Sequence, residues 1–383
     1  MKKFVLFALS FVVALSCLIP LSQADFADAK SSGGMSVSAK AAIVIEAKTG
    51  RILYAKNDHT KLPMASTTKI MTALLALEQQ GLDEEFIVDE NAIMVEGTSM
   101  GLKGGDTVTL RTLAVGMLLA SGNDGANAAA VRISGSVADF TALMNEKAKE
   151  IGMTNTSFET PSGLDSENHY STAYDMALLA AYALENENFA DICNKTSAKV
   201  TYGNPPYKRT LSNHNRLLKA YEGCVGVKTG FTKKSGRCLV SAAERNGVRL
   251  VAVTLNAGDD WNDHKRMLDY GFSVTSVINI NNAFDKITLP IVGTDTPNFT
   301  TTAGVLEDVR AALTQEQSAK ITTKAYAHKF LYAPVTAGAV VGYVDYIFEG
   351  KVVATASLQV PEDISAKAPQ EQPRKGFLQK IFG

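Results

Sequence analysis

Cysteine is scarce in this chain, with four residues in 383. One of them, Cys17, falls in the N-terminal apolar stretch, which leaves Cys193, Cys224 and Cys238 for the folded part. Three is an odd number, and the spacings fit neither a thiolate metal site nor a dense disulfide framework. They read as buried small apolar residues with at most one disulfide among them. Histidine is thin as well: His59, His169, His214, His264 and His328 are scattered, and no H-E-x-x-H occurs. A metallopeptidase therefore has no support, and neither a metal nor another cofactor is expected. An excess of charge of one sign is also missing. The 38 Lys and Arg against 39 Asp and Glu leave a net charge of −1, so there is no basic domain for nucleic acid.

A long apolar run occurs only at the beginning. Lys2-Lys3 is a positive start, 4–21 is apolar but for Ser10, Ser16, Cys17 and Pro20, and Ser22-Gln23-Ala24 offers a small-residue cleavage site. This predicts a signal peptide over 1–24 and export. An uncleaved anchor is the other reading, since the stretch is near the minimum spanning length.

What is present suits two domains, at a hydrophobic content of 46%. Residues 25–38, rich in Ala, Ser, Asp and Gly, read as a linker. The apolar run 41–47, the turn Lys48-Thr49-Gly50-Arg51 and the run 52–55 read as a hairpin. A helix follows from Ser66 and ends at Gly81. The stretch 84–194 is mostly helical, with helices over 110–120, 124–133, 137–151 and 173–184. Strands begin at 225–228 and continue over 237–243 and 249–255, joined by an Asn246-Gly247 turn. A closing helix spans 264–270. Strands from both ends of 39–275 are expected to form one largely antiparallel sheet with helices packed on it, an α+β fold. Residues 277–362 change character: short β-rich runs at 286–292, 319–327, 340–344 and 352–358 predict a small all-β domain without a catalytic constellation. In 363–383 a polar linker precedes a tail in which Phe377, Leu378, Ile381 and Phe382 share a helical face near Arg374, Lys375 and Lys380. That pattern suits a short helix lying on an anionic membrane surface, and a frayed tail is the alternative.

Three short motifs carry the chemistry. In Ser66-Thr67-Thr68-Lys69, Ser66 reads as a helix N-cap or first-turn residue, and positions i and i+3 share a helix face. A serine hydroxyl needs an adjacent base, and a lysine can serve if burial or a second cation keeps it neutral. Ser121-Gly122-Asn123 interrupts two helices, and Lys228-Thr229-Gly230 closes a strand. S-x-x-K, S-x-N and K-T-G in this order are the signature of serine acyl-enzymes of the penicillin-binding class. Gly97-Thr98-Ser99-Met100-Gly101 also fits G-x-S-x-G, but a turn follows it where a nucleophile elbow needs a helix.

The chain resembles the low-molecular-mass penicillin-binding proteins of the D-alanyl-D-alanine carboxypeptidase family. Further matching stretches are Pro63-Met64-Ala65-Ser66, 97–102, Gly122-Asn123-Asp124, 160–164, His169 with 171–175, and 268–272. The family also carries a small β-domain and a C-terminal amphipathic anchor. The resemblance implies that Ser66 attacks the carbonyl between two D-alanines of a peptidoglycan stem peptide, while Lys69 takes its proton. Ser121 relays a proton to the leaving amine and Asn123 contacts the substrate amide. Lys228 supports the Ser121 side and keeps Lys69 neutral. Thr229 and Gly230 bind the carboxylate and the substrate backbone, and the backbone N–H groups of Ser66 and Phe231 hold the oxyanion. β-Lactams are implied as inhibitors, and the location is the outer face of a bacterial cytoplasmic membrane or its wall. Two departures stand out. Phe231 replaces a frequent histidine. Where many members carry an arginine for the substrate carboxylate, Asp259-Asp260-Trp261-Asn262-Asp263 stands here, with Arg266 nearby. The alternatives are a D,D-endopeptidase, a β-lactamase (although no E-x-x-L-N lies between Ser121 and Lys228) and a non-catalytic wall-binding protein.

Overall fold

The computed structural model describes residues 35–368. The expected signal peptide, most of the expected linker and the tail from 369 onward lie outside the described residues. Residues 35–38, the last four of that linker stretch, belong to the packed structure: Val37 is buried, and the Ser38 hydroxyl donates to Asp263 at 2.6 Å.

The apolar run that opens the fold is strand β1 (Ala41–Glu46), every residue of which is buried. It pairs with β2 (Ile52–Lys56) across the turn. Helix α1 (Lys69–Leu77) follows, ending four residues before the expected Gly81, which turns the chain with φ +68°. Next come β3 (Phe86–Ile87), β4 (Thr107–Val108), α2 (Leu110–Leu119), α3 (Asn123–Ser134), α4 (Val137–Ile151), α5 (Ala173–Ala183) and α6 (Glu187–Cys193). A hairpin, β5 (Ser197–Tyr202) and β6 (Tyr207–Ser212), and the turn α7 (Leu217–Ala220) lead to β7 (Cys224–Thr232), β8 (Gly236–Arg245) and β9 (Val248–Ala257). Helix α8 (Asp260–Ser273) closes the domain and starts earlier than the apolar spacing indicated. The main sheet is antiparallel in the order β2-β1-β9-β8-β7, which joins the two ends of the segment.

Both faces of this sheet are covered. Ile43, Ile45, Val251 and Val253 pack with α1 and α5, while Val44, Leu250 and Ala252 pack against Met267 and Leu268 of α8. Double coverage is why β1 and β9 read as continuous apolar runs and not as alternating ones. Strand β7 lies at one edge and faces the helical part. The K-T-G triplet sits within it, because the strand runs on to Thr232.

The remainder is all-β but for single helical turns: β10 (Val277–Asn279), β11 (Ile287–Val292), β12 (Thr300–Ala303), β13 (Arg310–Ala312), α9 (Gln315–Ser318), β14 (Thr322–Ala327), β15 (Leu331–Tyr332), β16 (Val340–Phe348) and β17 (Lys351–Gln359). It has a core of its own, around Leu289, Val344, Tyr346 and Leu358. The strand expected from 319 starts at Thr322, because Thr314 and Gln317 form a capping box that favours a helical turn first. Among the described residues no helix is long and apolar enough to cross a membrane.

Candidate active site

Ser66 lies in a single 3-10 turn (Ala65–Thr68) that runs into α1. It does not cap that helix, since Thr68 holds the N-cap place without a side-chain bond. A 3-10 turn has three residues per turn, so side chains i and i+3 eclipse, which sets Lys69 directly behind Ser66. The turn is strained at Ala65, with φ +50°. Bonds on every side hold it there. Thr67 Oγ1 donates to the Met64 carbonyl at 2.6 Å and Thr68 Oγ1 to the Ala65 carbonyl at 2.8 Å. A Cβ at Gly163 would stand 2.0 Å from the Ala65 oxygen, so only glycine fits beneath the turn. His169 locks it from behind. Its Nδ1 accepts the Glu159 N–H at 3.0 Å, which leaves Nε2–H to donate to Thr68 Oγ1 at 2.9 Å. Burial lowers the His169 pKa to about 4, so the ring is neutral in this role.

Lys69 is fully buried. Its Nζ is 3.0 Å from Ser66 Oγ, 2.6 Å from Asn123 Oδ1 and 2.6 Å from the Ser162 carbonyl oxygen. A neutral amine has two hydrogens and one lone pair. The two amide oxygens can only accept, so they take both hydrogens and leave the lone pair for the Ser66 hydroxyl. Burial first, then the charge of Lys228, pushes the Lys69 pKa well below that of an ordinary lysine, partly opposed by Asp124. Asn123 is oriented by donating Nδ2–H to the Glu96 carbonyl at 2.7 Å.

Across the site, Ser121 sits in the break between α2 and α3 with φ +61°. Lys228 Nζ donates to Ser121 Oγ at 3.0 Å and to the Thr229 carbonyl at 2.9 Å, and burial lowers its pKa to about 7. A Cβ at Gly230 would lie 3.0 Å from each of Met64 O, Ser66 N and Thr67 N, so glycine lets β7 approach the nucleophile turn. A cavity of about 500 Å³ opens over Ser66, Ser121, Thr229 and Gly230, with Phe231, 66% exposed, at its mouth. Residues 27–259 match the D-alanyl-D-alanine carboxypeptidase family.

The chain belongs to this family. Residues 299–366 separately match the C-terminal domain of penicillin-binding protein 5. Among curated relatives, D-alanyl-D-alanine carboxypeptidase DacF of Bacillus subtilis is 39% identical over 254 residues, 64% of this chain and 65% of that one. DacC of Escherichia coli is 31% identical over 365 residues, 88% of this chain and 87% of that one. The crystal structure of penicillin-binding protein 5 from Haemophilus influenzae superposes with a TM-score of 0.63 at 28% identity, covering 87% of this chain and 99% of that one.

The carboxypeptidase thus brings Ser66, Lys69, Ser121, Lys228, Thr229 and Gly230 to one place from the 3-10 turn, the start of α1, the α2–α3 break and β7. Asn123, expected at the substrate amide, does not line the cavity: Lys69 and Glu96 engage both ends of its carboxamide. Ser99 of the G-x-S-x-G stretch donates to Asp124, whose carboxylate also accepts the N–H groups of Met100, Gly101 and Leu102 and so serves to hold the loop. Arg266 pairs with the fully buried Asp263, away from the cavity. Sequence reasoning missed the cavity residues His214, Arg216 and Arg237, and read Asp260 and Trp261 only as a departure from the family's arginine. One signal was available for Arg237. Folding the K-T-G strand against the next run as a hairpin places Arg237 opposite Phe231. The three cysteines are buried and unpaired. A wider cleft of about 710 Å³, lined among others by Glu46, Arg249, Arg310 and Val353, contains none of the three motifs.

Proposed function

We propose that this carboxypeptidase removes the terminal D-alanine from peptidoglycan stem pentapeptides through an acyl-enzyme on Ser66, and that β-lactams acylate the same serine. One observation carries the reading: Lys69 Nζ lies 3.0 Å from Ser66 Oγ and 2.6 Å from each of two oxygens that can only accept, Asn123 Oδ1 and the Ser162 carbonyl, so a neutral amine gives those oxygens its hydrogens and turns its lone pair to Ser66. Lys69 takes the Ser66 proton as Oγ bonds to the carbonyl carbon between the two D-alanines. The backbone N–H groups of Ser66 and Phe231 receive the oxyanion, where preorganised donors lower the barrier most. Collapse breaks the C–N bond. The leaving amine takes the proton that Lys69 received, relayed through the Ser121 hydroxyl, which Lys228 holds by a hydrogen bond, and Lys69 is neutral again. Water then cleaves the ester: Lys69 accepts the water's proton as its oxygen bonds to the acyl carbon, and returns it to Ser66 Oγ as the ester C–O bond breaks. Thr229 and Gly230 bind the end of the substrate, and Asn123 acts by fixing Lys69.

On this reading 39–275 is the catalytic unit and 277–362 a spacer. Residues 1–24 direct export, and the tail within 363–383 rests on the outer face of the cytoplasmic membrane. The match of 299–366 to the C-terminal domain of penicillin-binding protein 5 favours the carboxypeptidase over a β-lactamase. The test is D-alanine release from a diacylated Lys-D-Ala-D-Ala tripeptide. The wild-type protein releases D-alanine, and Ser66→Ala lowers the rate by about 10⁴-fold or more and abolishes covalent penicillin labelling. Unchanged release by Ser66→Ala refutes the assignment.

A further inference from the structure

The cavity has a second pole that the steps above leave unused. Arg237 is the second residue of β8, paired in register with Phe231 and therefore diagonal to Thr229 on the same face of the sheet. Its Nη2 is ion-paired with Oδ1 of Asp260, a side chain only 5% exposed in the first turn of α8. The same oxygen accepts the backbone N–H of Trp261 at 2.9 Å. The Trp261 indole lies 5.9 Å from the guanidinium carbon of Arg237 and 5.9 Å from that of Arg216. All four residues face the same cavity as Ser66.

This arrangement makes Arg237 a fixed cation with donors to spare. A guanidinium carries five N–H groups in a planar fork, and Asp260 engages one end. A carboxylate as buried as Asp260 cannot lose its partner cheaply, so it holds the fork in place. The side chain of Arg237 is nonetheless 43% exposed, toward the cavity. Lys228 is less suited to this work, since it is 1% exposed and does not line the cavity. A leaving D-alanine is short, so its carboxylate lies within a few bonds of the carbonyl that Ser66 attacks, and Arg237 lines the same cavity as Ser66.

We propose that Arg237, oriented by Asp260 and backed by Trp261, binds the free C-terminal carboxylate of the substrate and makes the enzyme select chains that end there over chains in which that carbonyl continues as an amide. The cation comes from β8 and not from the segment before α8, where Asp259 to Asp263 stand. This deepens the function proposed above and rests on it. Asp260 is a positioning residue, and Arg237 the group that touches substrate.

The experiment compares diacylated Lys-D-Ala-D-Ala with the same peptide as its C-terminal carboxamide, using the full chain. Wild type favours the acid. Arg237→Gln lowers the acid-to-amide ratio of kcat/KM by roughly ten- to a hundredfold, the worth of one charge-assisted hydrogen-bonded pair, mainly through KM. Arg237→Lys keeps part of the ratio, Asp260→Asn loses part of it, and Arg266→Gln keeps it all. A wild-type ratio in Arg237→Gln overturns the proposal, as does a collapse in Arg216→Gln while Arg237→Gln keeps the ratio. In either case Ser66-dependent release survives, so only this inference fails. A wild-type protein that releases no D-alanine and takes no penicillin overturns the function and the inference together.

Discussion

At the scale of single residues, the proposed chemistry needs two lysines in different protonation states. Burial lowers both pKa values, and Lys69 is lowered further by the charge of Lys228. In the proposed mechanism a neutral Lys69 is the base, and a charged Lys228 supports Ser121. Lys69 is protonated at low pH, so kcat/KM rises as pH passes its depressed pKa. Lys228 loses its charge as pH passes about 7 in the free enzyme, so kcat/KM then falls. A bell-shaped profile for tripeptide hydrolysis is expected. Lys228→Arg, which stays charged, flattens the alkaline limb and keeps the acid limb. A profile that is flat from acid to alkaline pH refutes Lys69 as base.

At the scale of elements, the wall of the site is a loop that cannot hold itself. Residues 96–102 contain no regular structure, yet Asn123 fixes them through its own N–H to the Thr98 carbonyl at 2.7 Å and through Nδ2 to Glu96. Asp124 does more. Its carboxylate accepts the N–H groups of Met100, Gly101 and Leu102, each at 2.9 Å, and the Ser99 hydroxyl. From outside, the β5–β6 hairpin contributes Arg209, whose Nη1 donates to the carbonyls of Met100 at 2.7 Å and Gly101 at 2.8 Å. Asp124→Asn turns one acceptor into a donor against these N–H groups. It is expected to cost about 2–3 kcal/mol, seen as a fall in Tm of roughly 5–10 °C, and to slow penicillin acylation at least about tenfold. Unchanged melting and acylation would show that the loop is held by Asn123 and Arg209 alone.

At the scale of the whole molecule, stability depends on keeping two buried histidines neutral. His169 braces the nucleophile turn. His264 lies within bonding distance of Ser241 and Thr254 inside the sheet–α8 layer, at 2.5 Å and 2.9 Å. Burial lowers their pKa values from 6.5 to about 4 and about 3. Between those values and 6.5 the unfolded chain binds more protons than the folded one, so stability falls as pH falls. The loss begins near pH 6.5 and is complete near pH 4 for His169 and near pH 3 for His264. Denaturant unfolding at pH 5 is expected to show about 2 kcal/mol less stability per histidine than at pH 6.5 or above. His264→Gln removes its share of that slope. Equal stability at pH 5 and pH 7 would contradict the burial argument.

Local sequence determined much of this protein. Apolar runs marked β1, β8 and β9, the Asn246-Gly247 turn marked the β8–β9 hairpin, and the three motifs already lay in their contexts: the start of a helix, a break between helices, and a strand. Each of these signals acts between residues a few positions apart, within reach of a local pattern. The β5–β6 hairpin escaped notice because one of its faces is solvent and its residues, such as Lys199, Thr201, Lys208 and Arg209, are mostly polar. Register and sheet order decided the rest. Arg237 reaches the cavity because β7 and β8 pair with Phe231 opposite it, and Asp260 reaches Arg237 because α8 packs on that face. Asn123 serves Lys69 because α3 meets α1 across 54 positions of sequence. Which lysine is the base is likewise a tertiary outcome, since burial and the distance between two charges set a pKa, and neither exists until the chain has folded.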